Sequence, residues 1–98
     1  MTKPALDFSR VEALRKHMLL TVQDMAELFD VTRATYYGWL RGKPIRKSNS
    51  DTVRSVLKRL LRVMTEYEWP MPAVIAATQK QRKAMLLEIL SQDGGEGG

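Results

Sequence analysis

Three observations in the sequence predict an all-α fold, a compact bundle of about five helices. Apolar residues recur at helical spacing in one segment after another. A Ser, Thr or Asn stands ahead of most of these segments as a candidate cap. No stretch sustains the two-residue alternation with β-branched residues that marks a strand. At 98 residues, 44% hydrophobic and 28% charged, the chain has the size and composition of one small globular domain.

Residues 1–8 read as a short arm. Ser9, three before Glu12, makes a capping-box pattern, and Val11, Leu14 and Met18 follow at helical spacing to about residue 18. Thr21 is a good N-cap for a second helix, whose Val22, Met25, Ala26 and Phe29 fall at i, i+3, i+4 and i+7. Asp30 and Val31 interrupt that stripe. Thr32 then opens a short third helix with Tyr36, Trp39 and Leu40 on one face, and Gly42 and Pro44 stop it. Residues 43–50 read as a polar, basic loop, with Asn49 or Ser50 capping a fourth helix that carries Val53, Val56, Leu57, Leu60 and Met64. The other face of that helix holds Arg54, Lys58 and Arg62.

Trp69, Pro70, Met71 and Pro72 predict a rigid turn. Thr78 with Gln81 is a second capping-box pattern, opening a last helix with Leu86, Ile89 and Leu90 on one side. The final DGGEGG has nothing to pack, so residues 92–98 are expected to form a disordered tail. The expected organisation is therefore a unit over 1–66, a helical extension over 67–91 and the tail.

Charge is unevenly placed. The net charge is +5, yet residues 33–62 hold nine basic residues (Arg33, Arg41, Lys43, Arg46, Lys47, Arg54, Lys58, Arg59 and Arg62) against one acid, Asp51. A strong local positive field in a small domain points to a polyanion, most often nucleic acid, although a solvated basic face is the simpler alternative. The absence of cysteine excludes disulfides and thiolate zinc sites, and a single histidine, His17, leaves little for any other metal. No apolar run approaches the ~18 residues of a membrane span and no signal-peptide core is visible, so the expected compartment is the cytoplasm.

The informative stretch is residues 20–43, LTVQDMAELFDVTRATYYGWLRGK. Two short helices joined by a turn of about four residues make a helix-turn-helix. The close crossing of two helices needs a small residue, and Ala26 sits midway along the first; the tight turn needs tolerance of positive φ, and Asp30 offers it. Val31, Tyr36 and Trp39 would fold inward against Val22, Met25 and Phe29, leaving Thr32, Arg33, Ala34, Thr35, Tyr37, Gly38 and Arg41 outward. A helix with one packed side and short polar residues at its N-terminal end can enter a major groove about 12 Å wide.

This stretch resembles the helix-turn-helix of Cro/Xre-type phage and bacterial repressors through Leu20, Thr21, Met25, Ala26, Val31, Thr32, Tyr36, Trp39, Gly42 and Lys43. The resemblance covers roughly residues 10–64. Three positions depart from the family pattern: Val22 replaces a glutamine, Asp30 replaces the turn glycine, and Gly38 occupies a position that often contacts bases. The resemblance implies sequence-specific binding of double-stranded DNA by a transcriptional regulator, commonly a repressor acting as a homodimer on a palindromic operator.

On that reading Arg33 is the first choice for base recognition, because a guanidinium fork matches O6 and N7 of guanine; a phosphate contact is the alternative. Ala34 and Thr35 could touch a thymine methyl, with Ala34 at the family's groove position. Tyr37 could reach phosphate or sugar, or simply cover its helix. Thr21 and Thr32 cap their helices and stand near the backbone. Arg41, Lys43, Arg46 and Lys47 follow the recognition helix and are expected to hold phosphates. About six neutralised phosphates would give a log-affinity against log-salt slope near −5.

Other constellations are weaker. His17 has no second ligand, the serines have no arranged histidine partner, and Asp24 with Glu27 reads as first-turn acids rather than paired catalytic carboxylates. The six methionines fall mostly at core spacing. No catalytic set is visible, and neither an enzyme, a cofactor nor a membrane partner is expected. Trp69, Val74, Ile75, Leu86, Ile89 and Leu90 either cap the core or contact a second copy, and dimerisation is the preferred expectation. The rivals are an antitoxin-like module whose residues 67–91 grip a protein partner, and a phage small-terminase-type DNA packaging subunit.

Overall fold

A computed structural model describes residues 7–95, with side chains to Gln92. The all-α expectation holds: the described residues form six helices and no strand. They are α1 (Phe8–His17), α2 (Val22–Leu28), α3 (Arg33–Leu40), α4 (Lys47–Glu66), α5 (Pro72–Ala76) and α6 (Gln79–Gly95).

The first helix starts two residues earlier than the capping-box pattern implied. Asp7 is its N-cap, accepting from the Ser9 backbone N–H at 3.1 Å and from the Ser9 hydroxyl at 2.6 Å. Ser9 therefore serves the cap from inside the helix, and Glu12 is released for a long-range role. Of the expected N-terminal arm, residues 1–6 lie outside the described residues.

The two central caps are as expected. Thr21 Oγ1 accepts from the Asp24 N–H while the Asp24 carboxylate accepts from the Thr21 N–H, a reciprocal capping box. Thr32 Oγ1 accepts from the Thr35 N–H at 3.1 Å. Each of α1, α2 and α3 ends on a residue in the left-handed region, namely Leu19 (φ 62°), Asp30 (φ 59°) and Gly42 (φ 98°). In all three the following N–H reaches back five residues: Leu20 to Arg15 O, Val31 to Ala26 O and Lys43 to Gly38 O. That pattern satisfies carbonyls that a helix end otherwise leaves open.

The fourth helix differs from the expectation. It begins at Lys47, with Arg46 as an N-cap that makes no side-chain capping bond, instead of being capped by Asn49 or Ser50. Ser50 Oγ donates to Lys47 O at 2.9 Å and Thr52 Oγ1 to Ser48 O at 3.3 Å, so these hydroxyls bond carbonyls of the first turn rather than cap it. At 20 residues α4 is the longest element, about 30 Å by helical rise.

The Trp-Pro-Met-Pro segment turns as expected, through a cis Trp69–Pro70 bond. It then enters a short helix that the sequence pattern did not reveal, α5, with Pro72 in its first turn. Arg82 closes α5 by donating from Nε to Val74 O and from Nη2 to Ile75 O. The Thr78–Gln81 capping box forms at the start of α6. Helix α6 continues to Gly95, so the expected tail is helical over its first four positions, and residues 96–98 lie outside the described residues.

One apolar core joins all six helices. Phe8 and Val11 (α1), Met25 and Ala26 (α2), Tyr36 and Trp39 (α3), Val53, Leu60 and Val63 (α4), Val74 (α5), and Leu86 and Leu90 (α6) are buried in it, with Trp69 beside them. The Trp69 indole donates from Nε1 to Met18 O at 2.8 Å, joining the C-terminal third to the end of α1. Residues 67–91 therefore pack into the same core as residues 8–66. Of the six apolar residues expected either to cap the core or to meet a second copy, only Ile75 is exposed and Ile89 half-buried; the other four are spent inside the chain.

Candidate nucleic-acid interface

Helices α2 and α3 pack together, and Ala26 of α2 is fully buried. Tyr36 and Trp39 point inward. Phe8 stands edge-on to both, at ring-centroid distances of 4.9 and 5.6 Å, and Phe29 stacks on Tyr36 at 6.2 Å with 15° between planes. Val31 packs against the same core. This aromatic block makes α3 a rigid rod on its inner side.

The outer side of α3 is open. Arg33, Ala34, Tyr37 and Arg41 are exposed, as are Lys43, Arg46 and Lys47 beyond it. Arg33, Tyr37 and Arg41 stand four apart and so form one row, with Ala34 on the adjoining row. Nothing from residues 65–92 covers them. Thr21 is half-exposed and committed to its capping box, while Thr32 is exposed and also donates its hydroxyl to Thr35 Oγ1 at 3.0 Å. Thr35 is half-buried.

Gly38 corrects the sequence reading. It was expected to face outward, and it is buried. A Cβ at this position would lie 3.1 Å from Lys43 Cδ, so the methylenes of Lys43 lie over the glycine. Beside this contact runs an open groove of about 470 Å³, lined by Ala34, Thr35, Gly38, Trp39, Lys43, Pro44, Arg46 and Asn49. The groove thus has α3 on one wall and the basic α3–α4 connection on the other.

Compared with protein-family models, curated proteins and solved structures, the chain matches none.

A residue the sequence reading missed holds α3 in place. Glu12 on α1 accepts from the Tyr36 hydroxyl at 2.5 Å and from Arg15 Nε and Nη2 at 2.8 and 2.9 Å. Arg15 Nη1 also donates to Leu20 O at 3.0 Å, so the Glu12–Arg15 pair of α1 ties together α3 and the α1–α2 turn. The Arg15 bond, then that of Tyr36, holds the Glu12 carboxyl below its ordinary value against the opposing effect of burial. Burial, reinforced by Glu12, pushes the Tyr36 phenol well above its ordinary value. Tyr36 therefore stays protonated and donates. The Glu12–Arg15 spacing was visible in the sequence as an i, i+3 pair; its bond to Tyr36 had no local signature.

The remaining candidates fall into place. Asp24 is buried in its capping box. Glu27 pairs with Lys83 and accepts from Gln23 Nε2 at 2.8 Å, and these bonds, Lys83 first, lower its carboxyl pKa. Glu27 and Asp24 therefore serve structure. His17 is exposed, and among the described residues no group of three or more His, Cys, Asp or Glu is placed to hold a metal ion. Among the described residues no helix is long and apolar enough to cross a membrane.

Of the basic residues on α4, Arg59 Nη2 donates to Leu90 O at 2.7 Å and Arg62 lies 3.7 Å from Glu66. Two cations of the charged window are thus used to hold α6 and to pair along α4. Among the described residues, the window's other cations, for which no salt bridge is found, are Arg33, Arg41, Lys43, Arg46 and Lys47 around α3 and its exit loop, and Arg54 and Lys58 on α4.

Proposed function

We propose that this protein binds double-stranded DNA sequence-specifically as a transcriptional regulator of the repressor kind, with α3 entering the major groove. The observation that carries the reading is the outer side of α3: exposed, rigidly backed, and followed immediately by Lys43, Arg46 and Lys47. A helix of this length with short residues at its N-terminal end fits the groove, and cations flanking it suit the phosphates on either side. The resemblance to Cro/Xre-type repressors points the same way, and so does the basic window.

In this reading Arg33 contacts a guanine edge, Ala34 approaches a thymine methyl, Tyr37 and Thr32 stand at the backbone, and Arg41, Arg46 and Lys47 hold phosphates. Thr35 lies at the rim of the contact. A homodimer on a dyad-symmetric site completes the proposal, since one short recognition helix reads few base pairs. Exposed Ile75 and Leu87 supply apolar surface for a second copy.

The test is selection of bound sites from random duplexes at physiological salt, repeated with Arg33→Ala. A dyad-symmetric consensus is expected, with one base preference per half-site lost in the variant. Recovery of only non-specific DNA overturns the reading. Sedimentation at micromolar concentration addresses the dimer: a strictly monomeric species, free and on DNA, removes the palindrome.

A further inference from the structure

Beyond Arg33, the surface that α3 would turn toward base edges has little to read with, since Ala34 offers a methyl and Gly38 offers nothing. Gly38 is nonetheless covered, by a side chain from outside the helix. Helix α3 ends with Lys43 N–H bonding Gly38 O at 2.9 Å and Gly42 N–H bonding Trp39 O at 3.0 Å, and Gly42 is left-handed. This termination brings residue 43 beside residue 38, where two apolar side chains usually meet. Here the contact is a lysine stem on bare glycine backbone. A Cβ at position 38 would find Cδ of Lys43 at 3.1 Å, Cγ at 3.8 Å and Cβ at 3.9 Å.

The placement of the stem follows from those distances. Side-chain vectors on a helix tilt toward its N-terminus. Lys43 starts beyond the C-terminus of α3, and its third methylene, Cδ, is the atom nearest the position-38 vector. The stem therefore lies across Gly38, in a groove that Ala34, one turn earlier, also lines. Two small residues four apart leave the bed in which it lies.

We propose that Lys43, in addition to Arg33 of α3, reads a base edge in the major groove, its ammonium presented from the groove that Gly38 and Ala34 line. The inference rests on the DNA-binding reading above and changes the role of Lys43 from holding phosphate to choosing sequence. An ammonium has only donors to offer, and guanine presents two acceptors, O6 and N7, in that groove. The partner is therefore a guanine edge. The same bed accounts for a glycine in a helix interior, where it otherwise weakens the helix.

The experiment is site selection and affinity measurement with the full chain and three variants. Lys43→Ala is expected to lose a guanine preference at one position per half-site, by about tenfold to a hundredfold, with the other positions unchanged. Gly38→Leu fills the bed with a good helix former while keeping the lysine. It should lose the same preference and melt no lower than the parent. If that variant does not fold, Gly38→Ala forces the stem to shift and should show a smaller loss of the same kind. Uniform weakening of all sequences by Lys43→Ala, or guanine preferences that all survive the substitutions at both positions, overturns the inference. A parent protein that selects no site removes the DNA-binding reading and this inference together. A parent with a clear site and a motif independent of Lys43 removes this inference alone.

Discussion

The Tyr36 hydroxyl of α3 lies 2.5 Å from the Glu12 carboxylate of α1, joining residues 24 apart in the chain. Because Glu12 is simultaneously held by Arg15, the bond fixes the rotation of α3 about its own axis as well as its distance from α1. Which residues of α3 face outward depends on that rotation.

Glu12→Ala leaves the Arg15 guanidinium and the Tyr36 hydroxyl without their partner in a half-buried site. The expected loss is about 1–3 kcal/mol of stability, seen as a lower denaturant midpoint. An unchanged midpoint would mean that the network contributes nothing net.

The same carboxylate makes stability depend on pH. Its folded-state pKa lies below its ordinary value, so its contribution is complete above the ordinary glutamate range. That contribution declines as pH falls through the ordinary value and is lost once pH passes the depressed one. Chemical unfolding followed from pH 7 to pH 3 should show a fall that is shallower in Glu12→Gln. Equal slopes in the two proteins would assign the acid sensitivity to other carboxylates.

Asp30 is left-handed at φ 59° and exposed beside the face proposed for DNA. Asn tolerates the same backbone and lacks the charge. Asp30→Asn is expected to keep the melting temperature while tightening DNA binding about two- to fivefold at low salt, the size of a surface charge interaction. No gain in affinity would place Asp30 away from the phosphates.

Arg46→Ala tests the division between holding and reading. It should weaken all duplexes alike and make the log-affinity against log-salt slope less negative by about one, from a parent value near −5. Loss of a single base preference instead would make Arg46 a reader.

Trp69→Phe removes the donor to Met18 O and leaves that carbonyl buried without a partner. Destabilisation of about 1–3 kcal/mol is expected, with the chain still melting in one transition because residues 67–91 belong to the common core. Two separate transitions would show that the C-terminal third folds independently.

Features that depend on a few neighbouring residues were readable along the chain. The Thr21 and Thr32 caps, the Thr78–Gln81 box, the left-handed Asp30 and the inward Tyr36 and Trp39 all follow from contacts within one or two helical turns, where backbone geometry alone dictates who meets whom. Composition around α3 likewise carried its basic setting. The start of α4 was misplaced because Ser48, Asn49 and Ser50 suit a cap and a first turn equally, and α5 was hidden because five residues are too few to show a period.

Other features depend on which faces come together. The Glu12–Tyr36 bond, the Trp69–Met18 bond and the merging of residues 67–91 into one core join positions far apart in the chain, and no local pattern encodes such pairings. Gly38 looked exposed on a helical wheel because a wheel omits the chain that follows the helix. Its cover depends on the turn at Gly42, which carries Lys43 back over α3, and that path exists only once the end of the helix has folded.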